Sequence, residues 1–285
     1  EFPPMTDCRV NGHAASAIDI RDRGFQYGDG VFTTIRVEDG APLFLGRHFD
    51  RLRHDAERLG MAFVGSGVLL EDVRALLGNR RHGVLKIQLT RGMGGRGYRP
   101  PETVVPTRVV TFHPPAPYPA EYPSHGVEVR YCRTRLGGNP ALAGIKHMNR
   151  LEQILARAEW STGPVAEGLM LDFDGHIVEG IMSNVVLVRD GQLVTPLIDR
   201  CGVAGVMRSL IWEGAADLGL SVSEERVTPA GLEAADELFL TNSIIGIWPV
   251  RTLEHHHFPV GPVALELAAW LKNTTRDAIN AWSAG

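Results

Sequence analysis

The chain has 285 residues, 44% of them apolar and 22% charged, and a net charge of −4. This mildly negative balance gives no reason to expect a nucleic-acid or membrane surface, and no apolar run reaches membrane-spanning length. The length supports a sizeable core and two domains. Three cysteines, Cys8, Cys132 and Cys201, are scattered and odd in number. They fit reduced thiols better than a disulfide framework or a zinc site. No succession of charged, apolar and small-residue segments opens the sequence, so a cytoplasmic protein is expected.

A short strand and turn come first, at 8–13. The run Arg23-Gly24-Phe25-Gln26-Tyr27-Gly28-Asp29-Gly30 suits a loop that packs closely on its surroundings. Residues 31–38 are rich in β-branched types and predict a strand. Asp39-Gly40 is a hairpin turn signal, with 42–45 as the return strand. Phe49, Leu52, Ala56 and Leu59 fall at helical spacing, and Gly60 can end that helix. A second helix is expected over 69–77 and an alternating strand over 83–90. Arg91-Gly92-Met93-Gly94-Gly95-Arg96-Gly97-Tyr98 follows. Two prolines after it argue against a dinucleotide loop, because no helix starts cleanly there. A strand at 107–113 closes a first domain over 5–113. Its prolines mark 114–123 as a linker, and 124–285 is read as the second domain.

In that second part a strand is expected at 127–132 and a helix at 148–160. Leu151, Ile154, Leu155 and Ala158 would form the helix's apolar face. Strands at 169–173 and 176–180 flank Asp174-Gly175, and strands at 183–188 and 192–195 flank Asp190-Gly191. A long helix opens in the stretch from Cys201 to Arg208, a strand covers 236–241, and a helix over 261–282 closes the chain. His255-His256-His257 invites a metal reading, but three adjacent imidazoles do not easily face one ion, and no metal site is expected.

The sequence holds three lysines. Lys86 shares its alternation with Val84, Gln88 and Thr90 and reads as the outward side of a strand. Lys272 lies on a polar stretch. Lys146 follows Ala141, Leu142, Ala143 and Ile145. Amines held among apolar groups shift toward the neutral nucleophile. A lysine that snorkels from a loop to water fits the same local pattern. Arg51 on a helix and Glu179 at a strand end are ordinarily solvated, and the stretch at 205–207 is by itself a plain loop-to-helix junction.

The wider pattern is more specific. Asn139-Pro140-Ala141-Leu142-Ala143-Gly144-Ile145-Lys146-His147-Met148-Asn149-Arg150-Leu151-Glu152-Gln153 resembles the lysine segment of the lyase branch of the fold-type IV pyridoxal-phosphate enzymes. Branched-chain and D-amino-acid aminotransferases belong to the same family. The likeness covers nearly the whole chain, through the Arg23 to Phe32 signature and through Val178-Glu179-Gly180 with Ser183-Asn184. It implies an α+β fold with a smaller N-terminal α/β sandwich-like domain and a larger C-terminal barrel-like domain. It also implies a homodimer in which loops of the partner complete the pocket around a small-molecule substrate.

By the same resemblance, Lys146 would carry pyridoxal 5'-phosphate and Arg51 would bind its phosphate, which suits a guanidinium fork. Glu179 would meet the pyridine nitrogen and keep it protonated. The backbone at Val206 and Met207 would form a phosphate cup at a helix N-terminus. Asn242 and Ser243 stand where relatives have a Gly-Thr or Ser-Thr pair that also contacts phosphate. Arg96 and Tyr98 would take a substrate carboxylate. Thr34 matches a lyase position proposed to assist proton transfer to the leaving group. Thr33, where aminotransferases often carry glutamate, would lie at the substrate. The implied reaction is β-elimination of 4-amino-4-deoxychorismate to 4-aminobenzoate and pyruvate, which feeds folate synthesis. A D-amino-acid or branched-chain aminotransferase of the same fold is the alternative. A non-catalytic binding member is a further one, against which the intact Lys146, Glu179 and Arg51 argue. Leu151 departs from the tyrosine that aminotransferases often carry there.

Overall fold

The computed structural model of the protein describes residues 7–284. Positions 5, 6 and 285, the ends of the two expected domains, lie outside them. Strands β1 (Cys8–Val10) and β2 (His13–Ala14) form a first hairpin. The glycine-bearing stretch that follows holds a one-turn helix, α1 (Arg23–Tyr27), whose N-cap Asp22 accepts from the Gly24 N–H. Next come β3 (Gly30–Glu38), β4 (Ala41–Pro42), α2 (Leu45–Arg58), α3 (Ser66–Leu77), β5 (Gly83–Thr90) and β6 (Thr107–His113). The strands make one antiparallel sheet in the order β2-β1-β6-β5-β3-β4.

Alternation along β3 decides how this sheet is used. Val31, Thr33, Ile35 and Val37 are buried, and the residues among them point to the other face. Val31, Ile35 and Val37 join Phe49, Leu52 and Ala56 of α2 and Leu69, Val73 and Leu76 of α3 in one core. The helical spacing read from α2 therefore is its buried stripe. The return strand expected at 42–45 is shorter, because Phe44 turns to φ 55 and Leu45 already begins α2.

The remaining elements are α4 (Tyr122–His125), β7 (Val127–Leu136), α5 (Leu151–Arg157), β8 (Val165–Asp172), β9 (Ile177–Gly180), β10 (Asn184–Arg189), β11 (Gln192–Pro196), α6 (Val206–Asp217), β12 (Val222–Glu225), α7 (Pro229–Glu233), β13 (Glu237–Asn242), β14 (Gly246–Leu253), β15 (His256–His257) and α8 (Pro262–Ala284). Eight strands run β12-β11-β10-β13-β14-β7-β8-β9, and β15 pairs with β14. Ile177 in β9, at one end of this path, bonds through its N–H to the Val227 carbonyl just past β12 at the other end, at 2.7 Å. The sheet thus curls back on itself, as the barrel-like expectation required. Every residue of β10 from Asn184 to Val188 is buried, so both faces of this strand are covered.

The chain packs as two units. The first holds the residues up to Ala116, Ile145–Asn149 and the chain from Thr275 on; the second holds Pro117–Gly144 and Arg150–Thr274. The proline-rich stretch divides at Ala116, since Tyr118 and Tyr122 pack edge-on against Trp248 at 4.8 and 5.0 Å. This differs from a continuous second domain over 124–285. The lysine segment and the end of α8 are held by the first unit's core, which includes Ile145 and is joined by Trp282. A second difference concerns α5. Its buried residues are Gln153 and Ala156, whereas Leu151, Ile154 and Leu155 are 72%, 61% and 60% exposed.

Candidate active site

The lysine segment lies along the edge of β3. The Phe32 N–H donates to the Lys146 carbonyl at 3.0 Å, the Met148 N–H donates to Gly30 at 2.9 Å, and His147 bridges Val31. Asp55 of α2 pins the segment from the other side by accepting the Lys146 backbone N–H at 3.0 Å. The Lys146 amine sits 4.7 Å from the centre of the Phe32 ring. A second amine, Lys86, lies 5.2 Å from the same ring. Lys86 is paired in register with Thr34. Phe32, Thr34 and Lys86 therefore share the sheet face over which the Lys146 amine is held. Burial lowers the Lys86 pKa. Lys86 does lie on the outward side of its strand, as expected, but the lysine segment covers that face.

The opposite face carries a hydrogen-bond chain. Thr33 is fully buried, its hydroxyl 2.6 Å from His48 Nδ1 and accepting from an Arg51 Nη at 2.5 Å. The Thr33 hydroxyl thus links the Arg51 guanidinium to the His48 ring. Burial, and then the charges of Arg51 and Lys146, hold His48 well below the usual histidine range. The expected role of Thr33 at the substrate does not fit this placement. Strand alternation turns it toward α2, where it orients Arg51. His48 and Asp55 were not singled out in the sequence. A histidine and an aspartate on the buried stripe of a helix, three and four residues from Arg51, were the available signal.

Arg96 and Tyr98 lie on the exposed loop after β5, with Tyr98 86% exposed. Tyr98 meets the ring of Tyr27 edge-on, at 5.7 Å.

The second unit gathers the acidic and anion-binding candidates. Glu179, at 4% exposure, accepts the Val203 N–H at 2.8 Å. Asn184 donates to the Val203 carbonyl at 2.8 Å, so two side chains fix the turn that leads into α6. Gly205 is the N-cap of α6 with no side-chain cap, and the first turn contains no acidic residue. The N–H groups at Val206 and Met207 thus begin a helix whose N-terminus suits an anion. A Cβ on Gly205 would lie 2.2 Å from Asn184 Oδ1, so only glycine permits this approach. Asn242 spends its amide on the backbone, donating to Met182 at 2.9 Å and accepting from Ile244 and Ile245 at 2.8 and 3.0 Å. Ser243 beside it is half-buried. Burial, and then the Glu179 carboxylate, push the Cys201 thiol up to about 12, so it stays protonated. Asp172, Asp174 and His176 stand close at their turn. Asp172 there accepts the N–H groups of Asp174 and His176 at 3.0 and 2.8 Å, which is the expected turn.

Glu167 was also missed. It accepts from Met182 N–H at 3.1 Å and Ser183 Oγ at 3.0 Å, and so holds the turn that joins Glu179 to Asn184. Burial lifts its carboxyl to about 7, against the opposing bonds from Gly168, Met182 and Ser183. The folded state therefore binds more proton than the unfolded chain from its ordinary 4.5 up to about 7. Stability from this group is present below 4.5 and lost as pH rises through 7, by about 3 kcal/mol. His48 acts oppositely, since stability falls as pH drops below its ordinary 6.5. Urea unfolding of the wild type and Glu167→Gln at pH 5 and pH 8 separates the two. The difference in stability between the proteins is expected to change by about 2.5 kcal/mol between these two pH values, most of the full shift, and a constant difference would contradict the assignment.

With this geometry in place, the comparisons give the class of protein. The Amino-transferase class IV family model matches residues 30–253, and the chain belongs to that family, which is pyridoxal-phosphate dependent. Among individual relatives, the aminodeoxychorismate lyase of Vibrio harveyi is 36% identical over 264 residues, covering 90% of this chain and 97% of the relative. The crystal structure of 4-amino-4-deoxychorismate lyase from Pseudomonas aeruginosa is 45% identical, with a TM-score of 0.90 over 93% of this chain and 98% of that one. The D-alanine aminotransferase of Bacillus licheniformis is 27% identical, covering 86% of each chain.

The groups present fit such a cofactor. An amine and an arginine in the first unit suit an aldehyde and a phosphate. A buried carboxylate and an uncapped helix N-terminus whose glycine leaves no room for a Cβ, both in the second unit, suit a pyridine nitrogen and a phosphate.

Proposed function

We propose that this protein is a carbon–oxygen lyase that converts 4-amino-4-deoxychorismate to 4-aminobenzoate and pyruvate, the former a precursor for folate. Support comes from the Lys146 amine and the Thr34 hydroxyl on one face of β3, in a chain whose 36% and 45% identical relatives bear this lyase's name. Lys146 is assigned as the attachment point of pyridoxal 5'-phosphate, Arg51, Val206 and Met207 as phosphate contacts, and Glu179 as the partner of the ring nitrogen. Ser243 is assigned as a lesser phosphate contact, with Asn242 shaping its turn. When bound, the cofactor supplies an electron sink for the carbon that loses its proton.

The protein's own groups do the rest. Lys146 takes the proton from the amine-bearing carbon. The bond from the ring to the enolpyruvyl oxygen breaks, the ring becomes aromatic, and the departing oxygen takes a proton. Thr34 is placed to hold the donor of that proton, either as Lys146 itself or as a water. Lys86, above the same phenylalanine, and Arg96 with Tyr98 on their loop supply charge and hydrogen bonds for the substrate's carboxylates. Thr33 belongs to the support of Arg51. We further propose that the protein is cytoplasmic and forms a homodimer, the dimer being supported by the bare apolar side of α5, where Leu151, Ile154 and Leu155 stand exposed.

The test is a product assay on 4-amino-4-deoxychorismate, made in situ from chorismate and glutamine by its synthase, with no keto acid added. Equimolar 4-aminobenzoate and pyruvate are expected, with Thr34→Val slowed about tenfold or more. An absence of product, together with conversion of D-alanine or branched-chain amino acids when a keto acid is supplied, would replace this reading with an aminotransferase.

A further inference from the structure

The loop that carries Arg96 and Tyr98 is exposed, yet its backbone is held from beneath by a buried arginine. Arg23, at 3% exposure, belongs to α1. It donates to the carbonyl of Gly97 at 3.0 Å and to that of Tyr98 at 3.2 Å. Its Nε donates to Asp29 at 2.8 Å, and the same Asp29 oxygen accepts from Arg91 at 2.8 Å. Arg91 in turn donates to the Leu59 and Gly60 carbonyls past the end of α2, each at 2.8 Å. Burial alone would raise the Asp29 pKa, but the bonds from Arg91 and Arg23 hold it lowered. The ion set is thus fixed to the scaffold at one end and to the loop's main chain at the other.

Tyr27, one turn after Arg23, completes the support. Its ring lies 4.9 Å from the Arg23 guanidinium, and its hydroxyl accepts the Gly97 N–H at 3.2 Å. A Cβ on Gly94 would come within 2.8 Å of Arg23 Cδ, so the loop lies directly on this side chain. Both Arg23 contacts go to carbonyls, so what they recognise is the loop's path. The side chains of Arg96 and Tyr98 stay available. A lysine could not do the same, because one point charge does not reach Asp29 and two carbonyls in a fixed fork.

We infer that Arg23, backed by Asp29 and Tyr27, is a positioning residue that sets the affinity for an anionic substrate by fixing the Arg96–Tyr98 loop. This rests on the reading that the loop takes a substrate carboxylate. Losing the support spreads the loop over many conformers, and the affinity falls with the fraction that is competent. The change falls on binding and leaves the proton transfer at Lys146 alone, so KM rises while kcat holds.

The experiment uses cofactor-loaded full-length protein with Arg23→Lys, Arg23→Met, Tyr27→Phe and Arg96→Ala, and the Arg23→Met/Arg96→Ala pair. Arg23→Met is expected to raise KM about tenfold with kcat within twofold, which corresponds to about 1.4 kcal/mol of binding. Arg23→Lys should not rescue it, Tyr27→Phe should show a smaller rise, and the pair should be no worse than Arg96→Ala alone. Cleavage by trypsin after Arg96 should quicken in Arg23→Met, because an opened loop is cut first. A raised KM in Arg96→Ala with an unchanged KM in Arg23→Met and Tyr27→Phe would overturn the inference, as would full additivity in the pair. An Arg96→Ala protein with unchanged KM would overturn the loop's substrate role, and the trypsin rates would then still report whether Arg23 orders the loop. If Arg23→Met fails to fold, Tyr27→Phe decides through the same KM and trypsin readings.

Discussion

Replacing Lys146 by alanine is expected to abolish pyruvate formation, lowering turnover by about four orders of magnitude, the upper range for loss of a positioned base. The fold should survive. The segment is held by its backbone, through the N–H bonded to Asp55 and the carbonyl bonded to Phe32, and neither bond involves the lost side chain. Lys86 should not substitute, because it stands on β5 at 5.2 Å from the Phe32 centre, with its own strand fixing its reach. The measurement is single-turnover pyruvate release from protein whose thermal unfolding matches the wild type. The visible absorbance of lysine-bound cofactor should vanish in the same variant. Turnover within tenfold of the wild type would sink the assignment of Lys146 as both attachment point and base.

The second large effect is expected at Glu179. Glu179→Gln keeps an oxygen that can accept the Val203 N–H, so the turn into α6 should remain formed. What it removes is the negative charge that would keep the cofactor's ring nitrogen protonated. Loss of a preorganised charge at a reacting centre is worth about two to three orders of magnitude in kcat. Substrate KM should change little if, as proposed, the carboxylate serves the ring nitrogen and not the substrate. Steady-state kinetics on the loaded variant, with cofactor affinity measured alongside, gives the answer. A kcat unchanged in Gln but lost in Ala would show that Glu179 serves only as the anchor of Val203.

Much of this was legible in the residues because the signals are local. Alternation gave the strand at β5, and β-branched content gave the one at β3. Helical spacing gave α2 and its buried stripe. Asp190-Gly191 gave a hairpin, and both residues do adopt positive φ, 52° and 73°. The roles proposed for Lys146, Arg51 and Glu179 come only from the wider pattern of their segments, since each alone reads as an ordinary polar residue.

Where the reading and the structure part, the cause is long-range packing. Thr33 and Thr34 are adjacent and identical, and only the docking of α2 against β3 turns one into support for Arg51 and leaves the other beside Phe32. Lys86 comes to lie on the same face as Lys146 because strand pairing sets it opposite Thr34 and the segment after Ile145 returns over that face. The apolar residues of α5 looked like a core stripe, but the fold buries Gln153 and Ala156 instead. Composition and periodicity determined which segments are strands and helices, because those choices depend on neighbours a few residues away. Tertiary structure alone decided which face each side chain serves, because that depends on contacts such as Asp55 with Lys146, 91 positions apart in the chain.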